Sequence, residues 1–386
     1  MTASPARWDI FCKVVDNYGD AGISWRLARE LAAAHGLDVT LWLDLVAPLA
    51  AIAPGVAADR AEQRVQGVTI RRWTHPLPLA PLPAVVVEAF GCGLPEAYVA
   101  AMAAAVPAPS WFVLEYLSAE PWVDGSHGLA SPHPRLPLAR HFWFPGFTAR
   151  TGGLLRERGL FAARDAFRAD PVAQRALWAA LGAPPPAAGA VKISLFCYDN
   201  PALPALLDAF AGGEDDVACF IPQGVAGALV DGWAGRPVSG TPGASVTRGR
   251  LALRIHPFVS QDAYDRLLWA CDVNFVRGED SVVRAQWAAR PFVWQIYRQA
   301  DAAHLPKLDA LADRYTAGLD PAPQAAVQRM WRAWNGGPGA PPAGPAWAAY
   351  AHARPALATH GPVWAAALAA MPDLATGLVK AARNGV

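Results

Sequence analysis

Apolar and polar positions alternate along this chain in blocks that change period. Trp8 to Val15 is a mostly apolar run of the kind that forms a buried strand. Behind it, Ile23, Leu27 and Leu31 recur every four residues, which predicts a helix over Gly22 to His35, with Gly36 as its stop. "DVTLWL" is the next strand, followed by an Ala-rich helix near 46–53, and "VTIRRW", "AVVVEAF" and "SWFVLEYL" are further strands. Strands alternating with helices predict a mostly parallel sheet covered on both faces.

The rhythm then breaks. "GLLRERGLFAARDAF" and "PVAQRALWAALG" read as helices, and "GAPPPAAGA" (182–190) reads as a stiff linker. The alternation restarts with "VKISLFCY", "PALPALLDAF" and "DVACFIP". A polar Gly/Ser/Pro stretch at 231–250 is expected to be a surface loop. "LALRIHPFV", "DVNFVRG" and "PFVWQIY" are strands, and "QDAYDRLLWAC" and "SVVRAQWAA" are helices, the first with Ser260 as its N-cap. Trp- and Ala-rich helices follow a second Pro/Gly break at 335–345. The expected fold class is α/β, with two doubly wound Rossmann-like domains facing across a cleft: 1–181, a linker at 182–190, 191–355, and terminal helices over 356–386 packing back on the first domain. No repeat of 20–50 residues is visible.

Length agrees with two domains, since 386 residues exceed one ordinary core. Hydrophobic residues make up 53% and charged residues 17%, a globular balance. The longest Ala-rich apolar stretch, Ala97 to Val106, is too short to span a bilayer. Asp9 and Lys13 inside the first apolar run mark a strand rather than a signal peptide. With 33 basic and 32 acidic residues and no long Lys/Arg block, the footprint of a nucleic-acid binder is missing. Five scattered cysteines without a CxxC pair read as buried reduced thiols, which points to the cytoplasm and away from a zinc site. No membrane partner is expected. His256 and His304 stand alone and read as surface or core residues.

Two acidic loops carry the candidate chemistry. In "DNYGD" (16–20), Asp20 stands just before the predicted helix, where capping is a sufficient explanation. Asp16 and Asn17 suit an Asx-turn. Yet one cap needs one side chain, and three stand here, at the carboxyl end of the first strand, with Gly19 and Gly22 permitting close approach of a ligand. In "RGEDS" (277–281) a strand gives way to a helix, whose amino end suits a phosphate and to which Arg277 adds charge. Glu279 and Asp280 oppose phosphate. They either complement the helix dipole, with Ser281 as the cap, or serve a sugar hydroxyl or a cationic acceptor while Arg277 holds a diphosphate.

"FCKVVDNYGDAGISWRLARELA", "WFVLEYLSAE", "FWFPGF" with "GGLLRER", "PFVSQDAYDRLLWACD" and "RGEDSVVRAQWAARPFVWQIY" together resemble the protein-arginine rhamnosyltransferases that modify bacterial elongation factor P. The likeness runs from about Trp8 to Leu308. The resemblance implies a GT-B fold and inverting, metal-independent transfer from dTDP-rhamnose, with elongation factor P as acceptor and no cofactor. It implies Asp20 as general base with Asp16, Asn17, Tyr18 and Gly19 beside it, Glu279 as an acid needed for activity, and Arg277, Asp280 and Ser281 in the diphosphate and nucleotide loop. It also implies Phe258 and Gln261 at the thymine, and Phe196 and Tyr198 lining that pocket. Read without the resemblance, Phe196, Tyr198 and Phe258 are core aromatics at strand ends. Ile296-Tyr297-Arg298-Gln299 departs from the family's Ile-Tyr-Pro-Gln. Two other readings stay open: a nucleotide-sugar epimerase or small-molecule glycosyltransferase on the same scaffold, and a nucleotide-binding module without catalysis.

Overall fold

A computed structural model describes residues 5–16, 18–74, 76–299 and 302–385. The chain divides into two compact units, Met1–Leu160 with Leu368–Val386, and Phe161–Ala367. The helices Leu160–Ala169 and Pro171–Ala180 and the Pro-rich 182–190 segment therefore belong to the second unit, where the sequence pattern had assigned the helices to the first. Aromatic packing explains the boundary: Phe167 meets Trp269, and Trp178 stacks on Phe220 at 4.8 Å.

The first unit holds eight strands: β1 (Arg7–Cys12), β2 (Asp38–Leu43), β3 (Glu62–Val65), β4 (Val68–Arg72), β5 (Val85–Ala89), β6 (Ser110–Leu114), β7 (Ala130–Pro132) and β8 (Ala139–Trp143). Their order is β3-β4-β2-β1-β5-β6-β8-β7. The β3–β4 and β7–β8 hairpins are antiparallel and every other pairing is parallel. The central strands are buried almost throughout, as a sheet covered on both faces requires: all of Val85–Ala89 is buried, and so is β1 after Arg7, with Asp9 and Glu88 as buried charged residues among the apolar ones. The chain leaves β1 toward β2 and β4, then returns to place β5 on the other side. The topological switch point lies between β1 and β5, at the mouth of the loop that follows β1.

The second unit repeats this logic with six strands: β9 (Val191–Leu195), β10 (Val217–Pro222), β11 (Ser245–Arg248), β12 (Leu251–His256), β13 (Val273–Arg277) and β14 (Phe292–Gln295), in the order β11-β12-β10-β9-β13-β14. Its switch point lies between β9 and β13. The expected 231–250 loop is partly structured, since a helix (Gly227–Ala234) runs into it and β11 pairs antiparallel with β12. The Gly/Pro/Ser composition hid β11 because an edge strand needs little apolar content. Trp287, Trp331 and Trp334 are fully buried, as core material should be. All five cysteines are free and buried. His256 and His304 are core residues, 1% and 6% exposed.

The helix Leu374–Arg383 packs beside Tyr18–His35 in the first unit. One helical stretch, Ala343–Arg383, is long and apolar enough to cross a membrane by length and composition, a test that core helices of soluble proteins also pass.

Candidate active site

The first acidic loop lies at the β1–β5 switch point, and its helix begins earlier than the periodicity predicts. Tyr18, Gly19 and Asp20 form the first turn of Tyr18–His35, so Asp20 is inside the helix rather than ahead of it. Polar residues in a first turn carry no apolar period, which is why the pattern starts only at Gly22. Asp20 is 2% exposed. Its Oδ2 accepts hydrogen bonds from the amides of Val15 and Asp16, both 2.8 Å, so the carboxyl reaches back and closes the loop on itself. Burial raises its pKa above the ordinary carboxylate value, and the two amides only partly oppose this. Asp16 leans over Gly19: a Cβ on that glycine would stand 2.7 Å from Asp16 Oδ2. Asn17 lies outside the described residues.

Asp44, at the end of β2, was not singled out in the sequence. Its Oδ1 accepts from the amides of Val14 and Leu45 and fixes the base of the same loop. The Cys92 thiol donates to the Phe11 carbonyl, tying the turn after β5 to β1. Phe90 and Tyr116 stack at 4.7 Å just past β5 and β6, on the same carboxyl edge. Phe90 holds a positive φ of 57°, rare for a bulky residue, which the Phe-Gly-Cys-Gly spacing could have signalled.

In the second unit the predicted residues converge on the β9–β13 switch point. Phe196 and Tyr198 follow β9. Arg277 ends β13, and its guanidinium lies 4.3 Å from the Phe196 ring centre and 4.5 Å from that of Tyr198. Two aromatic faces hold the cation in place without neutralising it. The helix Gly278–Trp287 starts next, with Gly278 at φ +62° and no side chain capping the N-cap position, Arg277. Ser281 therefore does not cap; it is buried within the helix. Glu279 and Asp280 stand in the first turn, both half-buried.

Gln261 opens the helix Gln261–Ala270, whose N-cap is Ser260, accepting from the amide of Ala263. Its Nε2 donates to Asp280 Oδ2 at 3.0 Å. Phe258 is half-buried in the preceding turn. Phe196 meets the ring of Tyr264 edge-on. Gln295, also missed in the sequence, accepts from the Tyr198 amide at 2.9 Å and sets the height of that ring. Thus Phe196, Tyr198, Gln261, Arg277, Asp280 and Ser281 share one end of one sheet, and Asp16, Tyr18, Gly19 and Asp20 share the corresponding end of the other. Among the described residues, no group of three or more His, Cys, Asp or Glu side chains is placed to hold a metal ion. A separate cavity of about 510 Å³ in the first unit, bordered by Glu88, Trp111 and Arg140, includes none of the predicted site residues.

The family model described as Elongation-Factor P (EF-P) rhamnosyltransferase EarP matches residues 8–383. A protein-arginine rhamnosyltransferase of Pseudomonas putida is 50% identical over 329 residues, 85% of this chain and 86% of the relative. One from Neisseria meningitidis serogroup B is 34% identical over 335 residues, 86% of this chain and 84% of the relative. A solved structure, described as the basis for EarP-mediated arginine glycosylation of translation elongation factor EF-P, is 38% identical with a TM-score of 0.70, covering 99% of this chain and 100% of that one. Two switch-point sites on two Rossmann-like sheets, together with these likenesses, make the protein a GT-B glycosyltransferase, and the chain belongs to the EarP family of protein-arginine rhamnosyltransferases.

Proposed function

We propose that the protein transfers rhamnose from dTDP-rhamnose to an arginine of elongation factor P in the cytoplasm, with inversion and without a metal ion. The observation that carries this reading is Arg277 held between Phe196 and Tyr198 at the head of an uncapped helix. That group of donors suits a diphosphate, and preorganised donors of this kind contribute roughly 3–4 kcal/mol each to stabilising a departing charge. Gln261 and Phe258 serve the thymine. Asp280 and Ser281 complete the nucleotide loop.

The acceptor guanidinium is charged and a poor nucleophile. Asp20 takes a proton from one of its terminal nitrogens as that nitrogen bonds to the anomeric carbon. The bond from that carbon to the diphosphate oxygen breaks, and dTDP leaves with the electron pair. The buried setting of Asp20 strengthens it as a base. Asp16, Tyr18 and Gly19 form the acceptor side of the loop, and Glu279 binds a sugar hydroxyl or the incoming cation. The reaction requires a bound state in which Asp20 and Arg277 lie on opposite sides of one sugar.

Incubation of elongation factor P with the protein and dTDP-rhamnose, followed by fragment mass analysis and NMR of the anomeric centre, tests the proposal. It expects one deoxyhexose on one arginine, with the anomeric configuration opposite to the donor's and full activity in chelator. A sugar transferred to another residue type, or retained configuration, would refute it.

A further inference from the structure

The helices Gln261–Ala270 and Gly278–Trp287 meet through two polar rungs. Gln261 Nε2 donates to Asp280 Oδ2 at 3.0 Å. Four residues further along each helix, Arg284 Nη2 and Nε donate to Asp265 Oδ2 and Oδ1 at 2.6 and 3.0 Å. Spacing of four on both helices puts the rungs one turn apart on facing sides. The lower rung is almost fully buried, Asp265 at 4% and Arg284 at 2% exposure. A buried ion pair gives little net stability over apolar residues of similar volume; here its two hydrogen bonds join the helices at one register.

The upper rung has a chemical consequence. A carboxylate has no proton to donate, so the amide nitrogen of Gln261 must face Asp280. The amide oxygen is thereby turned the other way. Gln261 Oε1 is buried and has no hydrogen-bond partner among the described residues. A buried acceptor held in one orientation calls for a donor from a ligand. Thymine offers one, N3–H; at that ring position cytosine has a bare acceptor nitrogen, and its own donor, the 4-amino group, stands where thymine has O4.

We propose that Asp280 and the Asp265–Arg284 pair together form a base selector: Asp280 fixes the orientation of the Gln261 amide and the buried pair fixes its position, so that the site accepts an imide pyrimidine and rejects cytosine. Asp265 and Arg284 are positioning residues. The inference rests on the donor reading above, because it takes Gln261 to face the base.

Calorimetric titration of dTDP and dCDP into the full-length protein and two variants tests this. The wild type should bind dTDP about tenfold or more tightly than dCDP, the factor expected when one buried polar group is left unpaired. Asp280→Asn can donate to the Gln261 oxygen and lets the amide turn over, so the dTDP/dCDP ratio should collapse even if both affinities fall. The double variant Asp265→Leu with Arg284→Met removes both buried charges together and should melt no lower than the wild type. It should still lose about tenfold in dTDP affinity. Wild-type protein that binds both nucleotides equally, or variants that keep the wild-type ratio and affinity, would overturn the selector while leaving the donor reading intact. A wild type that binds neither nucleotide removes the donor reading and the selector with it.

Discussion

Asp20 accepts a 2.8 Å hydrogen bond from the backbone amide of Asp16, four residues behind it. With the matching bond from Val15, this makes one carboxyl both the clasp of the loop and the strongest candidate base in the first unit. The two tasks use different properties. Clasping needs only an oxygen that accepts, while proton removal needs the negative charge.

Asp20→Asn separates them. The asparagine oxygen can keep both amide bonds, but the desolvated charge is gone. Transfer should fall by at least about a hundredfold, within the range for a general base, while the melting temperature at pH 7 stays level or rises. Initial rates and thermal melts of the two proteins check this.

The pH dependence follows from the direction of the same shift. Burial raises the folded pKa of Asp20, so its contribution to stability is complete below the ordinary carboxylate range and is lost as pH climbs through the raised value. Activity runs the other way, because only the deprotonated form is a base. A profile of kcat/KM against pH should rise through an apparent pKa above the ordinary aspartate value of 3.8. Asp20→Glu should move that midpoint if it retains activity.

Gly19 offers a test of Asp16. A methyl group there meets Asp16 Oδ2 at 2.7 Å, and the short acidic side chain must swing aside. Gly19→Ala sits well in a helix and should alter stability by less than about 1 kcal/mol. If Asp16 helps to hold the acceptor, the acceptor KM should rise severalfold with the donor KM unchanged.

Arg277→Lys keeps the charge and loses the planar group that fits between Phe196 and Tyr198. The donor KM should rise about tenfold, the scale of one to two cation–π contacts, and the acceptor KM should not move. Steady-state kinetics with each substrate varied in turn decide it.

His256 predicts an acid weakness. Burial lowers its pKa to about 4, while its Nδ1 stays bonded to the Pro257 carbonyl. The unfolded chain takes up the proton first, so stability is lost as pH falls from the ordinary histidine value of 6.5 toward 4. His256→Gln should flatten that part of the melting profile relative to the wild type.

Much of this was legible in the sequence, and the exceptions have physical causes. Apolar runs located the parallel strands, because sheets covered on both faces need them, except β8 (Ala139–Trp143), where Arg140 and His141 interrupt the apolar pattern. The DNYGD segment stood out as more polar than a cap requires, and the RGEDS segment as an arginine and a glycine placed where a strand gives way to a helix. The early start of Tyr18–His35 was hidden because its first turn carries no apolar period and turns the Asp20 carboxyl back onto the loop. The true role of Ser281 was hidden because the β13 strand runs directly into the helix, leaving Arg277 as the N-cap. The Asp44–Val14 bond, the Gln295–Tyr198 bond and the Asp265–Arg284 pair escaped notice because each joins residues 19 or more apart in sequence, which no local pattern records.

The most direct test of the central claim is the intact mass of elongation factor P after reaction with dTDP-rhamnose, wild type and Asp20→Asn side by side. The account predicts a gain of one deoxyhexose with the wild type and an unmodified factor with the variant. Equal modification by both would contradict it, as would an unchanged mass with the wild type.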